Sequence, residues 1–160
     1  MVSGDGALKY FTLDQWIRDQ ELDKEDGGPD DALQRYKAYL ESVADRLPPD
    51  YVTMSETICI HDATMSELKM DVSAGLLTIR LNAGDVTMRE GRMVELHYGY
   101  VAYFSSNSDP DKGLPGPHGF GDLGYDEIEV LEDGSYEHRL LFSSGIELVV
   151  RFRDFKLDAL

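Results

Sequence analysis

The chain has one cysteine, Cys59, in 160 residues, so no disulfide forms within it and its fold needs no oxidising compartment. Cations are scarce as well. Fifteen Lys and Arg face 31 Asp and Glu, a formal net charge of −16 with neutral histidines. Phosphate binding needs positive surface, so this balance argues against nucleic acid and anionic membranes as partners. No apolar run approaches the roughly 20 residues that span a bilayer, and no secretory leader is legible, so a cytoplasmic location is expected. The sequence also lacks a Gly-Lys-Ser/Thr phosphate loop, a dinucleotide fingerprint, zinc-type spacing and a legible Ser-His-Asp arrangement. No catalytic residue, metal or cofactor is therefore assigned.

What is present suits one folded domain over 1–160. Hydrophobic residues make up 42% of the chain, enough to build a core rather than a disordered tail. The period of the apolar residues changes along the chain. Thr12 reads as an N-cap with Gln15 at the capping-box position, ahead of Leu13, Trp16 and Ile17, which predicts a helix over 12–23. Glu25 to Pro29 breaks it. A second helix opens near Pro29 or Asp30, with Leu33, Tyr36, Leu40, Val43 and Leu47 on one stripe, and Pro48-Pro49 stops it. The helical part is thus placed at 12–47.

From Tyr51 the period becomes two, placing the β part at 51–160. Leu68, Met70 and Val72 alternate with polar residues, as do Leu77, Ile79 and Leu81. Val94, Leu96, Tyr98 and Tyr100 share a parity that slips to odd at Val101 and Tyr103, which suggests a bulge beside Gly99. In the last third the inward parity stays even through Ile128, Val130, Tyr136, His138, Leu140, Phe142, Ile146, Leu148, Val150 and Phe152. Partners across strands share a sheet face, so each loop must hold an odd number of residues. Glu132-Asp133-Gly134 and Ser143-Ser144-Gly145 meet that condition as type I turns closed by a left-handed glycine. This register pairs Val130 with Tyr136, Leu140 with Leu148 and Glu137 with Arg151. The expected fold class is α+β, with two N-terminal helices followed by an antiparallel sheet of about seven or eight strands, rich in meanders.

Several groups invite a chemical reading. Residues 105–124 form the longest unpatterned stretch, and such loops are commonly functional or unstructured. Asn107, Asp109 and Asp111 resemble the opening of a calcium loop, but Lys112 stands where glycine is needed and His118 where a carboxylate is needed. Within this loop His118, Phe120 and Asp122 are the candidate partner-binding residues, with Phe120 as an exposed anchor. Cys59 and His61 share a strand face, yet their spacing does not set up a thiolate–imidazole dyad, and a buried structural cysteine is the expectation. His61-Asp62 resembles the ligand pair of metal phosphohydrolases, although Asp62 is more simply the end of a strand. His138 falls on the apolar face and reads as a core histidine bonded to a backbone carbonyl. His97 lies on a polar face. Glu127 and Glu129 share a solvated face, where Arg139 partners Glu127.

Lys9-Tyr10-Phe11-Thr12 followed by Trp16, the tyrosine-containing helix ending at Leu47-Pro48, and Ile60-His61-Asp62-Ala63 form a set. His138 to Phe142 before Ile146-Glu147-Leu148 completes it. In these segments the chain resembles a family of uncharacterised bacterial proteins of unknown function, a likeness that implies no activity for any residue. In size and acidity it is also similar, as a class, to immunity proteins that neutralise secreted bacterial toxins.

The functional expectation is a soluble, non-catalytic binding protein for a basic macromolecular partner, with an immunity-like toxin inhibitor as a special case. Charge complementarity would drive encounter. The alternatives are a metal-dependent hydrolase using His61 and Asp62, and a structural homo-oligomer joined through a sheet edge.

Overall fold

Helix α1 (Asp31–Val43) opens on a carboxylate in its first turn, where the helix dipole favours negative charge, and buries Ala32, Tyr36 and Val43. The structure, a computed structural model, describes residues 8–12, 31–85, 87, 90–107 and 120–160. The helix expected over 12–23 lies outside these residues apart from Thr12. A 3₁₀ turn (Ala44–Arg46) follows α1, and then a second helix, α2 (Pro49–Thr57). From the change of period, strands are expected to begin after Tyr51. Pro49 instead occupies the first turn of a new helix, where its missing N–H costs nothing, and Tyr51 and Met54 are buried beneath it. The proline pair that stops one helix also starts the next.

The single expected sheet is two sheets. Among the described residues, eight antiparallel strands split into β1 (Ile58–Asp71), β2 (Leu76–Asp85), β3 (Gly91–Gly99) and β8 (Asp154–Ala159), and a second set. The second sheet runs β4 (Tyr103–Asn107), β7 (Glu147–Phe152), β6 (Tyr136–Phe142) and β5 (Leu123–Val130), in that order. Leu77, Ile79 and Leu81 of β2 pair with Tyr98, Leu96 and Val94 of β3. Those six residues share one buried core with Leu140, Phe142, Leu148, Val150 and Phe152 of the second sheet and with Tyr51 and Met54 of α2. Burying a side chain of this size contributes about 1.5–3 kcal/mol, so this shared core outweighs any surface contact in the fold.

The parity slip at Gly99 has a different cause from the bulge expected there. β3 ends at Gly99, Tyr100 takes a positive φ of 52°, and the chain crosses to the other sheet as β4. The return crossing lies beside it, because Arg153 N–H, between β7 and β8, donates to Gly99 C=O at 3.0 Å. A side chain on Gly99 would sit 3.1 Å from Asp154 Cβ, so the corner is built around its absence.

Both C-terminal hairpins have the expected register. Val130 pairs with Tyr136, Leu140 with Leu148 and Glu137 with Arg151. Gly134 (φ 80°) and Gly145 (φ 85°) are left-handed, and their N–H groups donate to Leu131 C=O and Phe142 C=O. Gly134→Ala meets open space, with no atom within 4 Å of the added methyl. Only conformational strain remains, and a thermal melt should show a loss of about 1 kcal/mol. Gly121→Ala should cost more, since the new Cβ would lie 2.1 Å from Ser143 Oγ. That hydroxyl accepts Asp122 N–H at 2.8 Å and cannot move freely.

Leu68 and Met70 pair with Ile79 and Leu77 and so point to the core side. They remain 36% and 42% exposed because β1 is the edge strand and nothing described lies beyond them. Val72, in the turn, is 81% exposed.

Candidate functional site

α1, β1 and β5 meet in a cleft of about 270 Å³, lined by Phe11, Leu33, Tyr36, Ile60, His61, Leu123, Gly124, Tyr125 and Asp126. Its β1 wall exists because Asp62 adopts a positive φ of 63° within a register shift between Cys59 and Thr64. Asp62 was expected to end the strand. It kinks the strand instead, and pairing with β2 resumes at Thr64. Ile60 is left buried and His61 exposed beside the cleft. His61 Nδ1 lies 2.6 Å from Gly124 C=O. A carbonyl can only accept, so the proton sits on Nδ1 and the neutral ring's Nε2 is an acceptor.

The opposite wall is aromatic. Phe11 and Tyr125 stack with centroids 4.6 Å apart and planes 4° from parallel, and Tyr36 meets Phe11 edge-on at 5.6 Å. Phe11 reaches this place because Glu127 holds its backbone. The Glu127 carboxylate accepts the N–H of Lys9 at 2.8 Å and those of Tyr10 and Phe11 at 2.7 Å each. Glu127 was expected on a solvated face. It is fully buried, since residues 8–11 and α1 cover that face of the second sheet with a small core of Leu8, Phe11, Ala32, Tyr36 and Leu141. Its partnership with Arg139 is as expected, at 3.5 Å, and Arg139 also bonds Glu137 and Glu129. A buried carboxylate is tolerated when its lone pairs are filled, as they are here.

Burial tends to raise the Glu129 carboxyl pKa, but its bonds from Lys9 and Arg139 outweigh that and hold it below the usual range. Its ionised form therefore stabilises the fold at neutral pH, and that contribution fades as acid protonates it through its lowered folded pKa. Glu129→Gln should make the acid limb of a stability–pH curve shallower. An unchanged curve would show that Lys9 and Arg139 do not engage Glu129.

Asp126 stands at the cleft and leads into the core. Its Oδ2 accepts Tyr51 O–H at 2.8 Å and His138 Nε2 at 2.9 Å, while His138 Nδ1 lies 2.7 Å from Tyr98 O–H. The carboxylate cannot donate, so His138 carries its proton on Nε2 and accepts from Tyr98 on Nδ1. His138 is fully buried, as expected. Its partners are two side chains and not the backbone carbonyl foreseen from the sequence. Burial first, then the Asp126 charge, raises the phenol pKa values of Tyr36, Tyr51 and Tyr98. Among the described residues, no lysine or arginine forms an ion pair with Asp126. The line Tyr98–His138–Asp126 ends in a carboxylate at the cleft and has its hydroxyl end fully buried. It fixes Asp126 in place rather than activating an exposed nucleophile.

The other candidates fall elsewhere. His118, with Asp109, Asp111 and Lys112, lies outside the described residues. Phe120, expected to be an exposed anchor, is half-buried with its ring 5.5 Å from Phe142. Asp122 is exposed and its backbone bridges to Thr64. Neither lines the cleft. Cys59 is half-buried rather than buried, and its Sγ approaches His61 C=O at 3.9 Å, so thiol and imidazole do not form a dyad. His61 Nε2 lies 3.6 Å from Asp62 Oδ1, and among the described residues no third metal-type ligand joins the pair.

Two features of the structure lie outside the candidates that the sequence offers. Glu95, His97 and Asp158 bring ligand-type atoms within 4.8 Å of one another. They meet because β8 pairs with β3, a neighbour relation that alternation along one strand cannot reveal. Asp126 is the second, although the even parity of β5 that places Ile128 inward places it inward as well.

The chain matches no protein family, no curated protein and no solved structure.

Proposed function

We propose that this protein is a non-catalytic binding protein for a basic macromolecular partner, of which a toxin neutralised by an immunity-like inhibitor is a special case. The observation that carries the reading is the net charge of −16, together with how that charge is spent in the fold. Arg80, Arg139, Arg151 and Arg153 are engaged by carboxylates within the chain. Glu41, Asp45, Glu56, Glu132 and Asp154 are exposed and make no ion pair among the described residues. Such a surface speeds encounter with a cationic protein and discourages acidic ones, and the benefit declines with added salt. No described helix is long and apolar enough to cross a membrane.

The test is capture on the immobilised protein at low ionic strength, followed by a salt step. A retained protein of basic pI, with an association rate falling at least tenfold between about 0.05 and 0.5 M salt, is the expected result. A partner that is acidic, or whose association ignores salt, would overturn the reading.

One observation favours self-association as a second reading. Leu68, Met70, Val72 and Leu76 are exposed together around the β1–β2 hairpin, and β1 is the edge strand of its sheet, which beyond its bridge at Thr64 to Asp122 pairs with no other described residue on its outer side. Light scattering across a hundredfold range of concentration decides it, since a constant monomer mass would rule it out.

A further inference from the structure

The cleft between α1, β1 and β5 is small and largely apolar, with one carboxylate in its lining. Its volume, about 270 Å³, falls below the roughly 300–1,000 Å³ that ligand pockets span. A single long side chain is of the right scale. The walls are flat and apolar, from the Phe11–Tyr125 stack on one side to Leu33 and Ile60 on the others. Among the residues that line it Asp126 supplies the one carboxylate, beside the hydroxyl-bearing Tyr36 and Tyr125 and the His61 ring. Among the described residues, the two side-chain bonds to Asp126 land on Oδ2 and neither engages Oδ1. A second hollow, about 390 Å³ beside Tyr100, differs in kind, because its Arg153 and Asp133 already pair at 3.1 Å.

From this we infer that the cleft receives one arginine side chain of the basic partner, with Asp126 as the counter-ion and the Phe11–Tyr125 wall as the stacking surface. This rests on the binding function proposed above. Arginine suits the site better than lysine because a guanidinium is planar, stacks on aromatic rings and is more weakly hydrated than an ammonium. Its methylene stem would lie along Leu33 and Ile60. The buried His138 and Tyr51 keep the carboxylate oriented before anything binds, which lowers the ordering cost of association.

The test needs no knowledge of the partner. N-acetyl-arginine amide is titrated into the whole protein while backbone amide NMR signals are followed, with the lysine and citrulline amides as comparisons. The expected result is saturable shifts centred on Gly124, Tyr125 and Asp126. Citrulline, neutral and nearly the same shape, should bind at least tenfold more weakly, and lysine should fall between. Asp126→Asn should abolish the shifts. Should that variant fail to fold, Leu33→Trp decides the matter, since it fills the mouth and leaves the carboxylate in place. Glu90→Gln, which removes an exposed charge that does not line the cleft, should change nothing.

Equal shifts with arginine and citrulline would overturn the inference. So would shifts spread over the acidic surface and indifferent to Leu33→Trp. A captured basic partner that binds Leu33→Trp as well as the parent protein would remove the cleft while leaving the binding function standing. Saturable arginine binding at the cleft without any basic partner would do the reverse.

Discussion

Glu127→Ala is expected to lower the stability by about 3–5 kcal/mol, the loss typical of a buried ion pair deprived of one partner. Three backbone N–H groups, those of Lys9, Tyr10 and Phe11, lose their acceptor at once, and Arg139 is left with its other carboxylates. Alanine offers no replacement, and water can enter only by lifting residues 8–11 off the sheet. Lifting them exposes Leu8 and Phe11, which are otherwise 2% and 7% exposed, so apolar burial is lost together with the hydrogen bonds. In a domain of this size each kcal/mol moves the melting temperature by about 2–4 °C, so a drop of about 10 °C is the reading to look for. Glu129→Ala makes a useful contrast, because its carboxylate is 24% exposed and can be replaced in part by solvent. Its cost should stay near 1 kcal/mol. A Glu127→Ala protein as stable as the Glu129 variant would mean that residues 8–11 do not depend on this carboxylate.

The second large effect lies at His138. His138→Ala should cost about 3–5 kcal/mol, combining a cavity in a close-packed core with a stranded Tyr98 O–H and the loss of one of the two donors to Asp126 Oδ2, which keeps Tyr51. Tyr98→Phe removes only one hydroxyl and leaves His138 Nδ1 without its donor, for about 1–3 kcal/mol. The two residues act as one unit, so the double variant should be less damaging than the sum, with a coupling of about 0.5–3 kcal/mol from urea unfolding. Strict additivity would show that the bond between Tyr98 and His138 contributes nothing. His138→Ala should also weaken arginine amide binding at the cleft, since Asp126 loses a group that orients it.

How far the sequence could be read differed from region to region. The C-terminal hairpins were legible because parity, loop length and a left-handed glycine constrain one another over a few residues. Three independent local signals met at Gly134 and again at Gly145. The Gly99 region was only half legible. Its slip in parity was visible, but a bulge and a change of sheet produce the same alternation, and the answer depends on which strand lies across the corner. α2 was missed because nine residues after a proline pair carry little periodicity of their own. Its identity comes from Tyr51 and Met54 being buried between the sheets.

The cleft was hardest to see, and Glu127 shows why. A strand that alternates apolar and charged residues normally has one wet face, so its carboxylates read as solvated. What reverses this is a segment more than a hundred residues earlier, whose amide groups are satisfied by that carboxylate. Asp126 and His138 likewise meet Tyr51 and Tyr98 only when α2, β3, β5 and β6 have come together.

Local pattern by itself determined the acidic character, the α+β class, the even-numbered core face of the last strands and both glycine turns, because each depends on neighbours close in the chain. Only the tertiary structure decided that the strands divide into two sheets, that one face of the second sheet is covered, and that a carboxylate faces an aromatic cleft. Those features come from pairing between distant segments, whose free energy depends on how well their surfaces fit and leaves no period to read along the chain.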